Sequence, residues 1–274
     1  MTLRILAFNA ADTATASATT ANSSYPASNL QTASRDEEFR TTSAAAAREI
    51  KLTWASNQTV NVVAVCRWNL SISASLIYGL FSDTAWTTGL ENSGSVNPFD
   101  AADFGTLATF ATDAHIRTLK NSVWYPASTH TTVKSLKIQI DDTGNPDGYI
   151  AATRIFVGAY LPFSRDAAYG LTLDWTEGTE QVRMDSGALR SVAVQPPYRR
   201  IRAQNRYVAA ADRLLWSDAY RYDGLRRDLW VDIYPSDTTH LGVDHRGQFK
   251  FTSTAGISHD LPAHWSTSYT LEEA

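Results

Sequence analysis

Residues 60–80 read VNVVAVCRWNLSISASLIYGL, and the architecture is organised around them. Val60, Val62, Ala64 and Cys66 alternate with Asn61, Val63, Val65 and Arg67. At a strand period of two this sets a row of small apolar side chains on one sheet face, the mark of a core strand. A polar break at Trp68-Asn69-Leu70-Ser71 follows. Beyond it Ser73, Ser75 and Tyr78 interleave with Ile72, Ala74, Leu76 and Ile77, so two strands joined by an asparagine-centred corner are expected.

Outward from this stretch the same period recurs. Arg48 to Trp54, REIKLTW, alternates Ile50, Leu52 and Trp54 against Glu49, Lys51 and Thr53, which buries one face and wets the other. Val133 to Ile140 and Tyr149 to Gly158 are two more β-rich runs, and the turn-rich Asp141 to Gly148 between them predicts a hairpin. The acidic and amide groups of that loop would also suit calcium, but their spacing departs from the twelve-residue loop of helix-loop-helix calcium sites, so the turn reading is preferred. Between Phe81 and Tyr125 the pattern loosens into Gly, Ser, Asn, Asp and scattered aromatics, an elaborated loop region suited to carrying contacts.

With 274 residues, 43% of them hydrophobic, and 8 Trp and 12 Tyr among many Ser and Thr, the chain reads as mainly β and as two domains. Residues 1–24 are small and polar past the first few and read as an N-terminal arm. A first domain is expected over residues 25–162 and a second over 163–274, with the boundary at Pro162, where the character of the chain changes. In the second, Leu171 to Trp175, Tyr198 to Ala203, Leu229 to Ile233, Gly247 to Thr252 and Trp265 to Leu271 read as strands. Val208, Ala211, Leu215, Ala219 and Tyr222 recur at helical spacing and predict one helix.

A formal charge of -4 names no partner, and neither nucleic-acid binding nor membrane insertion is expected, since no segment approaches the roughly 20 apolar residues of a span. Cys66 is the only cysteine, which excludes an intrachain disulfide scaffold; with no secretory signal in MTLRILAFNAAD, folding in a cytoplasm is expected. Arginines crowd the segment from Arg183 to Arg227. Of these Arg199, Arg200, Arg202, Arg226 and Arg227 are the candidate protein interface, because guanidinium groups fork onto carboxylates of an acidic partner; a solvated face is the alternative.

No phosphate loop, dinucleotide fingerprint, zinc-protease helix or nucleophile elbow occurs, so no cofactor and no catalytic residue is assigned. His240, His245, His259 and His264 repeat a spacing of five that points strand residues to opposite faces, and Ser258-His259-Asp260 is mere adjacency, which does not make a triad. Trp86 and Trp124, with Asp100 and Asp103 among the nearby carboxylates Asp83 and Glu91, are the candidate glycan-binding residues, since aromatic rings stack on sugars and carboxylates bind their hydroxyls.

The YPASNL opening at Tyr25–Leu30, REIKLTW at Arg48–Trp54, VVAVCRWNLSISASL at Val62–Leu76 and YIAATRIFVGAYLPF at Tyr149–Phe163 together resemble the galactose-binding-like, discoidin-type jelly-roll β-sandwich as found in tail proteins of long-tailed bacteriophages. The ending WSTSYTLEEA is similar to the terminal strand of phage distal-tail and baseplate proteins. This resemblance implies a virion component of the tail tip, assembled in the host bacterial cytoplasm. It would form a ring or trimer with copies of itself and connect tail tube, hub and receptor-binding proteins. The alternative is a carbohydrate-binding receptor module of the tail that recognises a host surface glycan. A glycan-degrading enzyme using carboxylates between Phe81 and Asp113 is a third reading, resting on composition alone.

Overall fold

The computed structural model describes residues 2–34, 36–71, 73–98, 121–165, 167, 170–193, 197–237, 243–253 and 256–274. In the first part of the chain the strands are β1 (Arg4–Leu6), β2 (Thr15–Ala18), β3 (Phe39–Arg40), β4 (Arg48–Val60), β5 (Val62–Cys66), β6 (Ser75–Phe81) and β7 (Gly89–Asn92). They are followed by β8 (Ser122–Trp124), β9 (His130–Asp141), β10 (Ala151–Ala152), β11 (Arg154–Gly158) and β12 (Leu161–Pro162). The remainder adds β13 (Thr172–Thr176), β14 (Thr179–Arg183), β15 (Leu189–Ala193), β16 (Tyr198–Val208), helix α1 (Ala210–Tyr222), β17 (Leu229–Asp232), β18 (Arg246–Phe251), β19 (Gly256–Leu261) and β20 (His264–Glu273). The chain is mainly β with one substantial helix among the described residues.

Two sheets form a sandwich, a five-stranded one in the order β2-β4-β9-β6-β7 and a three-stranded one in the order β11-β5-β8. Ile50, Leu52 and Trp54 from the first and Val63, Val65, Ile155 and Val157 from the second meet in its core. An eight-stranded sheet, β12-β1-β17-β18-β20-β16-β13 with β19 on β20, makes the second module. One face of it is covered by α1, whose Trp216 packs between Phe163 and Tyr269 at ring separations of 4.7 and 4.6 Å. The other face carries Leu6 and Trp230, which pack on Val62, Ala64, Cys66 and Phe156.

Strand β5 is therefore a middle layer. Its odd residues enter the sandwich core and its even residues the seam with the second module, which is why the sequence there is apolar without interruption. Each Val or Phe side chain buried in these seams contributes roughly 1.5–3 kcal/mol. The small side chains of Ala64 and Cys66 leave room for the Phe156 and Trp230 rings, 6.3 Å apart. Complete burial pushes the Cys66 thiol up, so it behaves as a small hydrophobe.

Two expectations change. Residues 1–24 are not an arm: β1 joins the second module's sheet, pairing with β17 and β12, and β2 pairs with β4 on the sandwich edge. Between them the Asn9 side chain donates to the Ile155 carbonyl (2.9 Å) and accepts from the Val157 amide (3.0 Å), stitching the crossing segment to β11. The β9–β11 run is not a hairpin, because β9 and β11 lie in different sheets. Its connecting loop turns away to the Asn69 corner: Asp142 accepts from the Ser71 amide and Asn145, and Asn69 donates to Asp147 and the Tyr149 carbonyl. The same corner separates β5 from β6, which also fall in opposite sheets, so both connections cross the sandwich at one end. The acidic loop spends these carboxylates on internal hydrogen bonds, and among the described residues no group of three or more His, Cys, Asp or Glu side chains is placed to hold a metal.

Candidate functional site

Strand register defines the outer face of the five-stranded sheet. Ser17, Lys51, Lys137, Gly79 and Asn92 face one another in a row across β2, β4, β9, β6 and β7. Glu49, Gln139 and Ile77 form the next row on one side, and Thr53, Ser135 and Phe81 the row on the other. Because Ile50, Leu52, Leu76, Tyr78, Leu80, Leu136 and Ile138 take the inward positions, these rows face out.

The rows form a polar patch of two ammonium groups and one carboxylate between two aromatics. Lys51 Nζ lies 2.6 Å from Glu49 Oε2, while Lys137 Nζ lies 3.8 Å and Gln139 Nε2 3.3 Å from Glu49 Oε1. The Lys51 hydrogen bond holds the Glu49 carboxyl below its usual range despite partial burial. Above the patch Lys137 Nζ sits 5.6 Å from the Phe81 ring centroid and Lys51 Nζ 5.0 Å from that of Trp86. The Phe81 ring lies over Gly79, where a Cβ would come within 3.0 Å of it. A shallow concavity of about 300 Å³, lined by Phe81, Asn92, Lys137 and Gln139 among others, opens there.

Trp86 is held by a rigid turn. The Asp83 carboxylate accepts from the amides of Ala85 (2.8 Å), Thr87 (3.1 Å) and Thr88 (2.5 Å) and from the Thr87 hydroxyl (2.9 Å). Donors on Thr88 and Thr87 hold this carboxyl well below the usual range. Ser135 Oγ donates to the Asp83 carbonyl (2.6 Å), tying the turn to β9, and Trp86 takes a left-handed backbone with φ 57°. Asp83 therefore has a structural task, as does Glu91, which accepts from His130 (2.7 Å) and the Ala127 amide (2.7 Å).

The predicted glycan residues do not converge. Trp124 packs against the sandwich core, stacked on Tyr78 at 5.8 Å and 17°, whereas Trp86 is on the outer side of the same sheet. The sheet lies between them because Tyr78 points inward and Lys51 outward. Asp100 and Asp103 lie outside the described residues.

The arginine cluster also divides, by the alternation of β16. Arg199 shares the inward side with Ile201 and Ala203 and is fully buried. Its guanidinium binds both oxygens of Glu273 (3.1 and 2.9 Å) and donates to the carbonyls of Val243, Asp244 and Arg246. Arg199 is thus part of the interior, which corrects its assignment to an exposed interface. Arg200 pairs with Glu272 at 2.5 Å, Arg202 is exposed 3.7 Å from Asp174, and Arg226 and Arg227 are exposed, Arg227 over the Tyr222 ring. Of the histidines, His245 is buried edge-on to Tyr234, His259 stacks on Trp265, and His240 lies outside the described residues.

Sequence reading missed the ionic junction between the modules. Arg154 on β11 clasps Asp228 (2.7 and 3.0 Å) on one side and Asp12 (2.6 and 3.1 Å) on the other, and Gln248 donates to Asp228 (2.8 Å). Burial works against the Arg154 charge, but the two carboxylates outweigh it and hold its pKa above the usual value. A second clasp joins Arg67 to Glu273 (3.8 Å) and the Ala274 carbonyl (2.5 Å), and a third is the Tyr125 hydroxyl on Asp232 (2.6 Å), with Arg4 over the Tyr125 ring. Nearby, burial pushes the Asp223 carboxyl up to about 8. The lone arginine inside the apolar run TRIFVG was a readable sign of a buried pair.

No protein-family model and no curated protein matches the chain. Among solved structures it is similar to chitosan-binding module 1 of a chitosanase/glucanase from Paenibacillus sp. IK-5, at TM-score 0.39 and 15% identity over 56% of this chain and 99% of that one. It is also similar to the family 32 carbohydrate-binding module of C. perfringens NanJ in complex with galactose, at TM-score 0.38 and 14% identity over 58% of this chain and 99% of that one. A third likeness is to a Streptococcus pneumoniae fucose-binding module, at TM-score 0.39 and 10% identity over 55% and 94% of the two chains. Sandwich modules of this galactose-binding-like kind are thus what somewhat more than half of the chain is similar to.

Proposed function

We propose that the chain is a glycan-recognition protein with no catalytic role, whose binding face is the outer surface of the five-stranded sheet. The observation that carries the proposal is the concavity walled by Phe81 beside the Lys51–Glu49–Lys137–Gln139 network. An aromatic ring suits the apolar face of a sugar, and fixed amide, ammonium and carboxylate groups suit its hydroxyls. Lys51 and Lys137 against the single Glu49 leave one net positive charge, so the face suits a neutral sugar or one that carries a carboxylate.

The test is a glycan panel read with the intact chain, followed by Phe81→Ala and Trp86→Ala. Loss of one aromatic contact is expected to weaken binding by about tenfold, the equivalent of ~1.4 kcal/mol. A panel with no ligand, or a ligand that both variants bind as tightly as the parent does, would remove this face from consideration.

The second reading is the tail-tip assembly component that contacts other phage tail proteins and copies of itself. One feature favours it. Among the described residues strands β14 and β15 pair only with each other, and Val182, Met184 and Leu189 on or beside them are each about half exposed. A two-stranded hairpin without a third layer is marginal alone and gains from a partner. Light scattering should then report an oligomer that Val182→Ser with Met184→Ser dissociates; a monomer at high concentration speaks against it.

A further inference from the structure

A second concavity, of about 430 Å³, lies where the two modules meet, on a different side of the molecule's architecture from the outer sheet face. Four separate segments build it, one of them the end of β11 at Gly158 and Ala159. The segment crossing from β1 to the sandwich contributes Phe8 and Thr13, the irregular stretch of β4 contributes Asn57, Gln58 and Thr59, and the last residue of α1 contributes Tyr222. Each is placed by a feature already in the fold. The register of β4 against β9 shifts on both sides of Gln58, turning Asn57 and Thr59 out to solvent. Gly158 forms part of the wall and lets the crossing segment lie close, since a Cβ there would fall 2.9 Å from the Phe8 carbonyl oxygen and 2.9 Å from Leu6.

The chemistry of this groove is unlike that of the sheet face. No Asp, Glu, Lys, Arg or His lines it among the described residues. Phe8 and Tyr222 have ring centroids 4.2 Å apart with planes at 44°, yet remain 42% and 41% exposed, so two large apolar surfaces face water together. Around them stand the hydroxyls of Thr13 and Thr59 and three amides, of which Asn9 is spent on β11, Gln58 donates to the Ser56 carbonyl and keeps its oxygen as an acceptor, and Asn57 both donates and accepts. The lining itself holds no counter-charge; the Arg227 guanidinium stands beside it, 4.5 Å from the Tyr222 ring centroid. A sugar ring offers what it lacks: an apolar CH face for the aromatic pair and neutral hydroxyls for the amides. A volume of 430 Å³ is within the ~300–1,000 Å³ of small-molecule sites.

We infer that the junction groove is a second saccharide site, specific for uncharged sugar residues and complete only when the two modules are docked. It is independent of the sheet face: either site can exist without the other.

Chemical-shift titration of the 15N-labelled intact chain with galactose, fucose and N-acetylglucosamine separates the two. Binding in the groove is expected to move the Asn57 and Gln58 side-chain amides and the Tyr222 backbone amide, with Gly79 and Asn92 as reporters of the sheet face. Tyr222→Ala and Asn57→Ala, both at exposed positions, should weaken the groove shifts by about tenfold in affinity or more. Trp86→Ala should leave them unchanged. If the shifts appear only at Gly79 and Asn92, or if Tyr222→Ala and Asn57→Ala bind as the parent does, the groove is not a sugar site and the sheet face still stands. If none of the three sugars moves the groove amides at tens of millimolar, the inference is overturned.

Discussion

Replacing Arg154 with methionine is expected to lower the thermal unfolding midpoint by roughly 10 °C, the equivalent of about 3–5 kcal/mol. The size comes from what would be left behind. Asp228, 3% exposed at its side chain, would lose its bidentate partner and keep only Gln248, while Asp12 would lose both of its bonds to the same guanidinium. An unpaired carboxylate at a buried seam costs far more than the pair itself contributes. Calorimetry on the single variant, on Asp228→Asn and on the double variant separates these effects. The double variant should recover part of the loss, because a neutral amide at position 228 would place no charge in the seam. A midpoint shift of less than about 2 °C for Arg154→Met would mean that the clasp does not hold the modules together.

Arg199→Glu is expected to prevent folding outright. The new carboxylate would face Glu273 in a fully buried position, and three backbone carbonyls would lose their donor. Glu273 is held below its usual pKa against burial by Arg199 and Arg67, and the variant would remove the stronger of these and set a second buried carboxylate beside it, so the pair must repel or take up a proton. Removing either partner of such a pair costs about 3–5 kcal/mol, and reversing the charge costs more. Arg202→Glu, at a side chain 57% exposed, is the control and should change stability by no more than about 1 kcal/mol. Soluble yield and near-ultraviolet circular dichroism read both. An Arg199→Glu protein with a native spectrum would show that the interior assignment is wrong.

The contrast between those two arginines was partly written in the chain. Within YRRIRA the period of two already puts Arg199 with Ile201 and Ala203, and Arg200 with Arg202, so the inward arginine could have been told from its neighbours. The strands β4, β5, β9, β16, β17 and β20 were legible for the same reason, as was helix α1, because each has a buried side that repeats. Strands β1, β2 and β12 were not, since they are short and owe their conformation to partners distant in the sequence. Pairing was harder still. Sequence neighbours such as β9 and β11 look like a hairpin until the loop between them is seen bonded to the Asn69 corner. The candidate site was legible only at Trp86. Its lysines, glutamate and phenylalanine were visible as the wet side of known strands, but their meeting depends on register across four strands, which composition and spacing do not encode. Trp124 was misplaced for the same reason.

Strands β1 and β12 lie side by side in the second module, so residues 7–160 leave it and return to it through adjacent positions. During synthesis this makes β1 a latecomer to its own sheet. Its central partner, β17, begins at Leu229, and until that region emerges Leu3 and Ile5 lack the strand they lie against, while Leu6 has only the sandwich side of its seam, Val62, Ala64, Cys66 and Phe156. The sandwich can close first, but the nascent chain must carry a greasy, unmatched strand while more than two hundred further residues, counted roughly, are translated. In that window chaperone capture or off-pathway clumping would set the yield.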